Sequence, residues 1–91
     1  MLHDRIRTTR MARGFTLQNV ADHLLISLRS CQRYESGYMS PTLEGLVKMA
    51  DLFSVPTDYL LGRDDYLKSI GVVVDISPIT PPRRPNPHKQ L

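Results

Sequence analysis

The stretch SLRSCQRYE, residues 27–35, is rich in side chains that can recognise the edge of a base pair. Arginine can donate two hydrogen bonds to guanine, glutamine pairs with adenine, leucine can cover a thymine methyl group, and serine bonds to several bases. The same residue types are ordinary on a solvated helix face, which is the simpler interpretation of the stretch taken alone. The candidate base-contacting residues are Ser27, Leu28, Arg29, Ser30, Gln32 and Arg33.

Two short helices are predicted to position these side chains. Thr16 can cap a helix over 16–24, whose apolar face is formed by Val20, Ala21 and Leu24. Ser27 can cap the next helix, over 27–35, and Gly37 ends it. Cys31 and Tyr34 are expected to point inward, and the pattern leaves Leu28 on either side. Two capped helices joined by two or three residues have the spacing of a helix-turn-helix, although many small helical domains share it.

Three more helices are predicted around this pair. The first covers 2–12, with Leu2, Ile6 and Thr9 at helical spacing, and Gly14 ends it. The fourth starts near Pro41, capped by Ser40 or Thr42, and its predicted buried stripe is Leu43, Leu46, Val47, Ala50 and Phe53. The fifth starts at Pro56, with Tyr59 and Leu60 as apolar residues, and ends at Gly62.

The pattern changes after Gly71. Residues 72–76, VVVDI, are predicted to form a strand, because β-branched residues predominate. A lone strand leaves its backbone groups unpaired, so we expect it to pair with the same strand of a second copy through Val72, Val74 and Ile76. The remaining fifteen residues contain five prolines and are expected to be disordered. The predicted organisation is a domain over 1–62, a dimerisation extension over 63–76 and a basic tail over 77–91.

Composition narrows the classes of protein to consider. With 91 residues the chain fits one small domain. Its single cysteine excludes an internal disulfide, which favours a reducing compartment such as the cytoplasm. No apolar run approaches a membrane span, and the basic N-terminus lacks the apolar core of a secretory signal. His3, His23 and His88 are scattered, so no metal site, and no other cofactor, is expected.

The charge is distributed unevenly along the chain. Residues 1–40 have six arginines and three acids, 41–76 have three basic residues and six acids, and 77–91 have three basic residues and no acid. A basic N-terminal part is typical of a protein that binds an anion such as nucleic acid, and equally of a solvated basic face.

The segment GFTLQNVADHLLISLRSCQRYESG resembles the helix-turn-helix of the phage-repressor and Cro-like (XRE-type) DNA-binding family. The matching positions are Gly14, Thr16, Val20, Ala21, Ile26, Ser27, Arg33, Tyr34, Glu35 and Gly37, with no gap. The following residues resemble the fourth and fifth helices of the family, so the resemblance covers 2–62. It implies an all-α, five-helix lambda-repressor-like domain, to which the predicted strand and proline-rich tail are added.

The resemblance also implies roles for individual residues. Helix 27–35 would be the recognition helix in the major groove, and helix N-termini would meet phosphates. Arg10 and Glu35 are expected to form a surface ion pair between the first and third helices, worth about 0–1 kcal/mol and placing Arg10 beside a phosphate. The candidate phosphate-contacting residues are Arg10, Thr16, Gln18, Ser36, Tyr38 and Ser40.

Three residues depart from the family pattern. Leu17 stands where a glutamine is usual, Leu25 where the turn has glycine, and Thr9 where a core leucine is common. A left-handed conformation at Leu25 would cost of the order of 1 kcal/mol.

The favoured function is that of a sequence-specific regulator, most simply a repressor, which binds a palindromic site in double-stranded DNA as a homodimer. The alternative is a protein–protein module on the same scaffold, such as an antirepressor or adaptor. Leu17, Leu25 and Leu28 favour the alternative, whereas Arg29, Gln32 and Arg33 favour DNA. No set of residues suggests an enzyme.

Overall fold

Six α-helices and no strand are found in residues 1–79, the part of the chain that the computed structural model describes. The helices are α1 (Leu2–Arg13), α2 (Leu17–Leu24), α3 (Leu28–Ser36), α4 (Leu43–Phe53), α5 (Thr57–Leu60) and α6 (Asp64–Ser69). Helix α1 packs against α3, α4 and α5, and α2 packs between α3 and α4. The expectation of an all-α domain is confirmed.

Side-chain caps fix the starts of three helices. Thr16, Ser27 and Thr42 each accept a hydrogen bond from the backbone N–H three residues on, at 3.0 to 3.1 Å. Each bond satisfies a donor that the first turn would otherwise leave free. The predicted caps of α2 and α3 are therefore confirmed, and Thr42 rather than Ser40 caps α4.

The same turn ends α1, α2 and α4. Gly14, Leu25 and Ser54 follow these helices in the left-handed region, with φ of 86°, 57° and 54°. In each case the next residue donates its N–H to a carbonyl five residues back, at 3.0 Å, as in a Schellman motif. That next residue is apolar and packs into or against the core: Phe15, Ile26 and Val55. The turn therefore both satisfies the helix end and directs the chain inward.

The core lies between α1, α2, α4 and α5. Its centre contains Phe15 and Phe53, whose ring centroids are 5.8 Å apart. The buried apolar residues are Ile6, Phe15, Val20, Ala21, Leu24, Cys31, Leu46, Met49, Ala50, Leu52, Phe53, Val55 and Leu60. Thr9 is also buried, and its hydroxyl has no hydrogen-bond partner in the described part of the chain.

The predicted stripe of α4 is partly wrong. Leu46, Ala50 and Phe53 are buried, but Leu43 is 84% exposed and Val47 is 49% exposed. Met49 and Leu52 are buried in their place. The apolar positions of α4 occupy more than one face, and packing against α1, α2 and α5 decides which of these faces is covered.

The predicted strand at 72–76 is wrong. These residues form neither helix nor strand, and Val74 and Ile76 pack against the core of their own chain, while Val72 is 37% exposed. Two of the three side chains that were assigned to strand pairing, Val74 and Ile76, are therefore covered by the core of their own chain. Most of the predicted proline-rich tail, residues 80–91, lies outside the described residues.

Helix α6 was not predicted. Asp64 and Asp65 begin it and Lys68 lies in its last turn, an arrangement that suits the helix dipole. Arg5 in α1 donates two hydrogen bonds to Asp64, at 2.8 and 3.1 Å, and lies over the Tyr59 ring at 4.3 Å. The hydrogen bonds from Arg5 lower the pKa of the Asp64 carboxyl. This contact attaches α6 to α1.

We expect Leu25→Gly to stabilise the domain by about 0.5–1 kcal/mol. A non-glycine residue in the left-handed region costs about 1–2 kcal/mol, and glycine removes this cost. About half of the gain is offset, because the unfolded chain is more flexible with glycine and loses more entropy on folding. Leu25 is 88% exposed, so its side chain contributes little packing. The free energy of unfolding in urea measures the effect. Leu25→Ala is the control and should show no comparable gain, because alanine keeps the backbone strain; an equal gain for alanine would contradict this explanation.

Candidate nucleic-acid interface

Helix α3 has a buried side and an open side. Cys31 is 2% exposed, and packs in the core cluster with residues of the other helices. Arg29 and Gln32 are exposed and Leu28 is 39% exposed. The structure therefore confirms that Cys31 points inward, and places Leu28 at the exposed edge of the helix.

The two serines at the start of α3 interact with each other. Ser27 Oγ accepts the backbone N–H of Ser30 at 3.1 Å and donates to Ser30 Oγ at 3.0 Å. The Ser27 hydroxyl thus caps the helix, and Ser30 Oγ, which accepts from it, can still donate outward. These two bonds hold the serine side chains together at the helix start, where base contacts by Ser27 and Ser30 were predicted.

An arginine and an aromatic ring meet at the other end of α3. The Arg33 guanidinium lies 5.3 Å from the centroid of the Tyr38 ring, and Tyr38 is 77% exposed. Such a stack limits the orientations of the guanidinium and leaves its hydrogen-bond donors available. Arg33 is half-buried, unlike Arg29. This pairing of two predicted site residues was not foreseen from sequence.

A buried ion pair joins α3 to α1. Arg10 Nε and Nη2 donate to the two carboxylate oxygens of Glu35 at 2.6 and 3.1 Å. Arg10 Nη1 also donates to the carbonyl of Phe15 at 2.8 Å. The two side chains are only 12% and 7% exposed. The expected pair is present, but the expectation of a weak surface pair is wrong, since little solvent screens it.

Most of the predicted phosphate-contacting side chains form local hydrogen bonds. Thr16 forms a capping box with Asn19, in which Thr16 N donates to Asn19 Oδ1 at 2.8 Å. Gln18 donates to Asp22 at 2.7 Å, and Ser36 donates to the carbonyl of Arg33 at 3.2 Å. Arg10, as shown above, is committed to Glu35. Five of the six candidates are nevertheless exposed, and only Arg10 is partly buried: the exposed ones are Thr16, Gln18, Ser36, Tyr38 and Ser40.

A shallow depression separates α3 from the start of α4. Its walls include Leu24, Ile26, Tyr34, Thr42 and Lys48. Tyr34 also lines a second depression with Met39 and Ser40. The half-buried Tyr34 side chain thus borders both depressions.

Helices α2 and α3 are short, capped and joined by a brief turn, which defines a helix-turn-helix domain. The second of them, α3, exposes arginine and glutamine and rests on the other helices. A helix-turn-helix family model matches residues 6–60. The chain belongs to this family, of the phage-repressor and Cro-like (XRE) type that the resemblance indicated. No helix in the described residues is long and apolar enough to cross a membrane.

Several known proteins are similar to this chain. It is 36% identical over 74 residues to "HTH-type transcriptional regulator AnsR" of Bacillus subtilis, covering 81% of this chain and 64% of that protein. It is 42% identical over 62 residues to "Cryptic phage CTXphi transcriptional repressor RstR" of Vibrio cholerae, covering 68% and 55%. The match thus spans about half to two-thirds of these relatives. A transcriptional regulator from Listeria innocua has the same fold, with a TM-score of 0.62, 21% identity and coverage of 77% and 75%.

We expect the Cys31 thiol to react slowly with iodoacetamide in native buffer and rapidly in denaturant. Burial raises the pKa of Cys31 to about 11, and the nearby Glu35 carboxylate adds to the rise while Arg10 opposes it. Slow alkylation has two causes, since the reagent needs both access and the thiolate. Rapid labelling of the native protein would contradict the inward orientation of Cys31.

The same raised pKa makes stability depend on pH in a defined direction. Below pH 9 the thiol is neutral in the folded and unfolded states, whereas between pH 9 and 11 the unfolded chain loses the proton first. The free energy of unfolding should fall over this window by an amount on the order of 3 kcal/mol. Cys31→Ala is the control, because tyrosine and lysine titrate equally in both proteins. The difference between the two pH profiles isolates the thiol.

Proposed function

We propose that this protein is a sequence-specific regulator of transcription, acting as a repressor, which reads double-stranded DNA with α3 in the major groove. The observation that carries the proposal is the arrangement of α3: Arg29 and Gln32 are exposed while Cys31 is buried, and the Arg33 guanidinium lies against the Tyr38 ring. The Arg10–Glu35 pair holds this helix to α1. Relatives named as a transcriptional regulator and a phage repressor support the same class of function.

Each side chain on this face has a base or phosphate that suits its chemistry. Arg29 and Arg33 can each bond to two acceptors of guanine, and Gln32 can pair with adenine. Leu28, at the exposed edge, can contact a thymine methyl group. The N–H groups of the first turns of α2 and α4, shaped by Thr16 and Thr42, can hold phosphates on either side. In this arrangement the contacts to the DNA backbone orient the protein, and the contacts from α3 to the bases provide sequence specificity.

A second candidate function is a protein-binding module on the same scaffold. It is favoured by Leu25 and Leu43, which are 88% and 84% exposed near the ends of α2 and α4. Leu17, which had favoured it from sequence, packs against the core instead. Fluorescence anisotropy with generic duplex DNA at two salt concentrations separates the two functions, because only a DNA-binding protein gives salt-dependent binding.

We expect Arg29→Ala and Arg33→Ala each to weaken binding to a selected DNA site by roughly 1–3 kcal/mol. The site is obtained by selection from a random DNA pool, and anisotropy titrations give the dissociation constants. Circular dichroism should be unchanged, because both residues lie outside the core. Lys48→Ala in α4, which lies outside α3 and outside the C-terminal third of the chain, is the control and should bind as the parent does. If both arginine variants bind as tightly as the parent, the assignment of α3 as the reading helix is wrong.

We further propose that the protein binds DNA as a homodimer. In residues 61–79, the described part of the chain after α5, five large apolar side chains are exposed: Leu61, Tyr66, Ile70, Val72 and Val73. They lie in α6 and the segments on either side of it, and the exposed fraction reaches 94% at Val73. Because Val74 and Ile76 pack on their own core, these five replace the predicted strand as the proposed interface. A two-fold dimer would place two α3 helices about 34 Å apart and favour a palindromic site.

We expect the full chain to sediment as a dimer at tens of micromolar, and the variant Ile70→Asp/Val73→Asp to sediment as a monomer. Both positions are exposed, so the charges should act on association and leave the fold intact. Leu43→Asp, at an exposed leucine of α4, is the matched control and should remain dimeric. A monomeric full chain, or a double variant that dimerises equally well, would contradict this interface.

A further inference from the structure

The guanidinium of Arg33 differs from the two others that lie over a tyrosine ring in the described part of the chain. Those two, Arg5 and Arg63, are also hydrogen-bonded to a carboxylate, Asp64 and Asp58 respectively, with shortest distances of 2.8 Å. Their guanidinium groups are therefore engaged within the domain. Arg33 has the ring contact alone, because no hydrogen bond within this part of the chain uses the N–H groups of its guanidinium. Its donors are left for a ligand.

The turn after α3 brings the Tyr38 ring back over Arg33. Gly37 ends the helix in the left-handed region, with φ of 81°. The backbone N–H of Met39 then donates to the carbonyl of Arg33 at 3.2 Å. The hydroxyl of Ser36 donates to the same carbonyl at 3.2 Å and accepts the backbone N–H of Tyr38 at 3.4 Å. The backbone on both sides of the tyrosine is thus bonded to the last turn of α3.

Helix α1 supports this turn from the other side. A Cβ at Gly37 would lie 3.1 to 3.3 Å from three atoms of the His3 ring, so the imidazole is in close contact with the turn. The turn therefore cannot move toward α1 without displacing the His3 ring. The position of Tyr38 is determined by two helices together.

A ring in this position reduces the freedom that Arg33 loses when it binds DNA. The guanidinium carbon is 5.3 Å from the ring centroid, within the about 6 Å over which an aromatic ring attracts a cation. Ordering one free, flexible side chain weakens binding by roughly 2- to 12-fold. The two hydrogen bonds to guanine require a defined orientation of the planar group. An arginine already held over a ring loses less freedom on reaching that orientation.

Tyr38 has a second group that can contact DNA, its hydroxyl. Tyr38 is 77% exposed, and its hydroxyl was predicted to bond to a phosphate. The ring contact with Arg33, in contrast, is a feature of the domain itself, and the turn that creates it is held by α1 and α3. These observations favour the ring over the hydroxyl as the functional group.

We propose that Tyr38 is a positioning residue for DNA recognition, whose ring holds Arg33 in the orientation that bonds to guanine. Tyr38 then acts through Arg33, and strengthens the preference for guanine at the one base pair that Arg33 reads. This role rests on the proposed function, because it requires α3 to lie in the major groove.

The first measurement identifies the base pair that Arg33 reads. DNA sites that differ from the selected site at one base pair are titrated by fluorescence anisotropy with the parent and with Arg33→Ala. The position at which Arg33→Ala no longer distinguishes guanine from the other bases is the position that Arg33 reads.

We expect Tyr38→Ala to weaken binding to the selected site by roughly 2- to 12-fold. Its binding should equal that of the parent on the site in which the guanine read by Arg33 is replaced, because no oriented arginine is needed there. Tyr38→Phe keeps the ring and lacks the hydroxyl, and it should bind both sites as the parent does. Circular dichroism should be unchanged, because the Tyr38 side chain lies largely in solvent.

A double-mutant cycle separates a positioning role from a structural one. In the Arg33→Ala background, Tyr38→Ala should cause no further loss of affinity. In the Arg29→Ala background it should cause its full loss, since Arg29 is an exposed arginine of the same helix and serves as the matched control. A general disturbance of the domain would weaken binding in both backgrounds.

Different results contradict the positioning role and the reading helix. If Tyr38→Ala weakens binding equally with and without Arg33, or if Tyr38→Phe binds as weakly as Tyr38→Ala, the positioning role is overturned and a direct contact from Tyr38 replaces it. If Tyr38→Ala binds as the parent does while Arg29→Ala and Arg33→Ala bind weakly, the positioning role is overturned and the reading helix stands. If the parent binds no duplex DNA, both are overturned.

Discussion

Arg10 and Glu35 form the contact on which the orientation of α3 depends. Two hydrogen bonds hold the carboxylate to the guanidinium, and a third joins the guanidinium to the carbonyl of Phe15 in the turn that follows α1. Because both side chains are largely buried, removing one partner would leave an unpaired charge at a cost of about 3–5 kcal/mol. A short helix such as α3 is marginal by itself, so its position must come from such contacts.

A second arginine of α1, Arg13, holds the end of α4 and the C-terminal segment. Arg13 lies one turn after Arg10 but bonds to carbonyls at the end of α4 and in the C-terminal segment. The two residues have the same chemistry and different partners: a carboxylate in one case and main-chain oxygens in the other. Helix α1 thus connects the helix that we propose reads DNA with the C-terminal segment.

The departures from the family pattern have distinct physical outcomes. Leu25 adopts the left-handed conformation that glycine usually supplies, and its side chain is left in solvent. Leu17 packs against the core, so the first turn of α2 keeps its backbone donors but lacks a polar side chain there. Thr9 places in the core a hydroxyl that has no hydrogen-bond partner within residues 1–79. Each residue costs stability or a polar contact, yet none changes the order or packing of α1 to α5.

The sequence by itself determined the local features of this protein. Hydrogen bonds and helical periodicity within a few residues decide the caps at Thr16 and Ser27, the end of α1 at Gly14 and the burial of Cys31. The family pattern added the Arg10–Glu35 pair. Only the tertiary structure decided which face of α4 is buried, that Val74 and Ile76 pack on the core, and that Arg13 is buried. These three features depend on contacts between residues more than twenty positions apart. The sequence shows that a residue is apolar or charged, but it does not show which distant residue will contact it. The candidate site follows the same division: the residues of α3 were predictable, whereas the stack of Arg33 on Tyr38 required the geometry of the loop after α3.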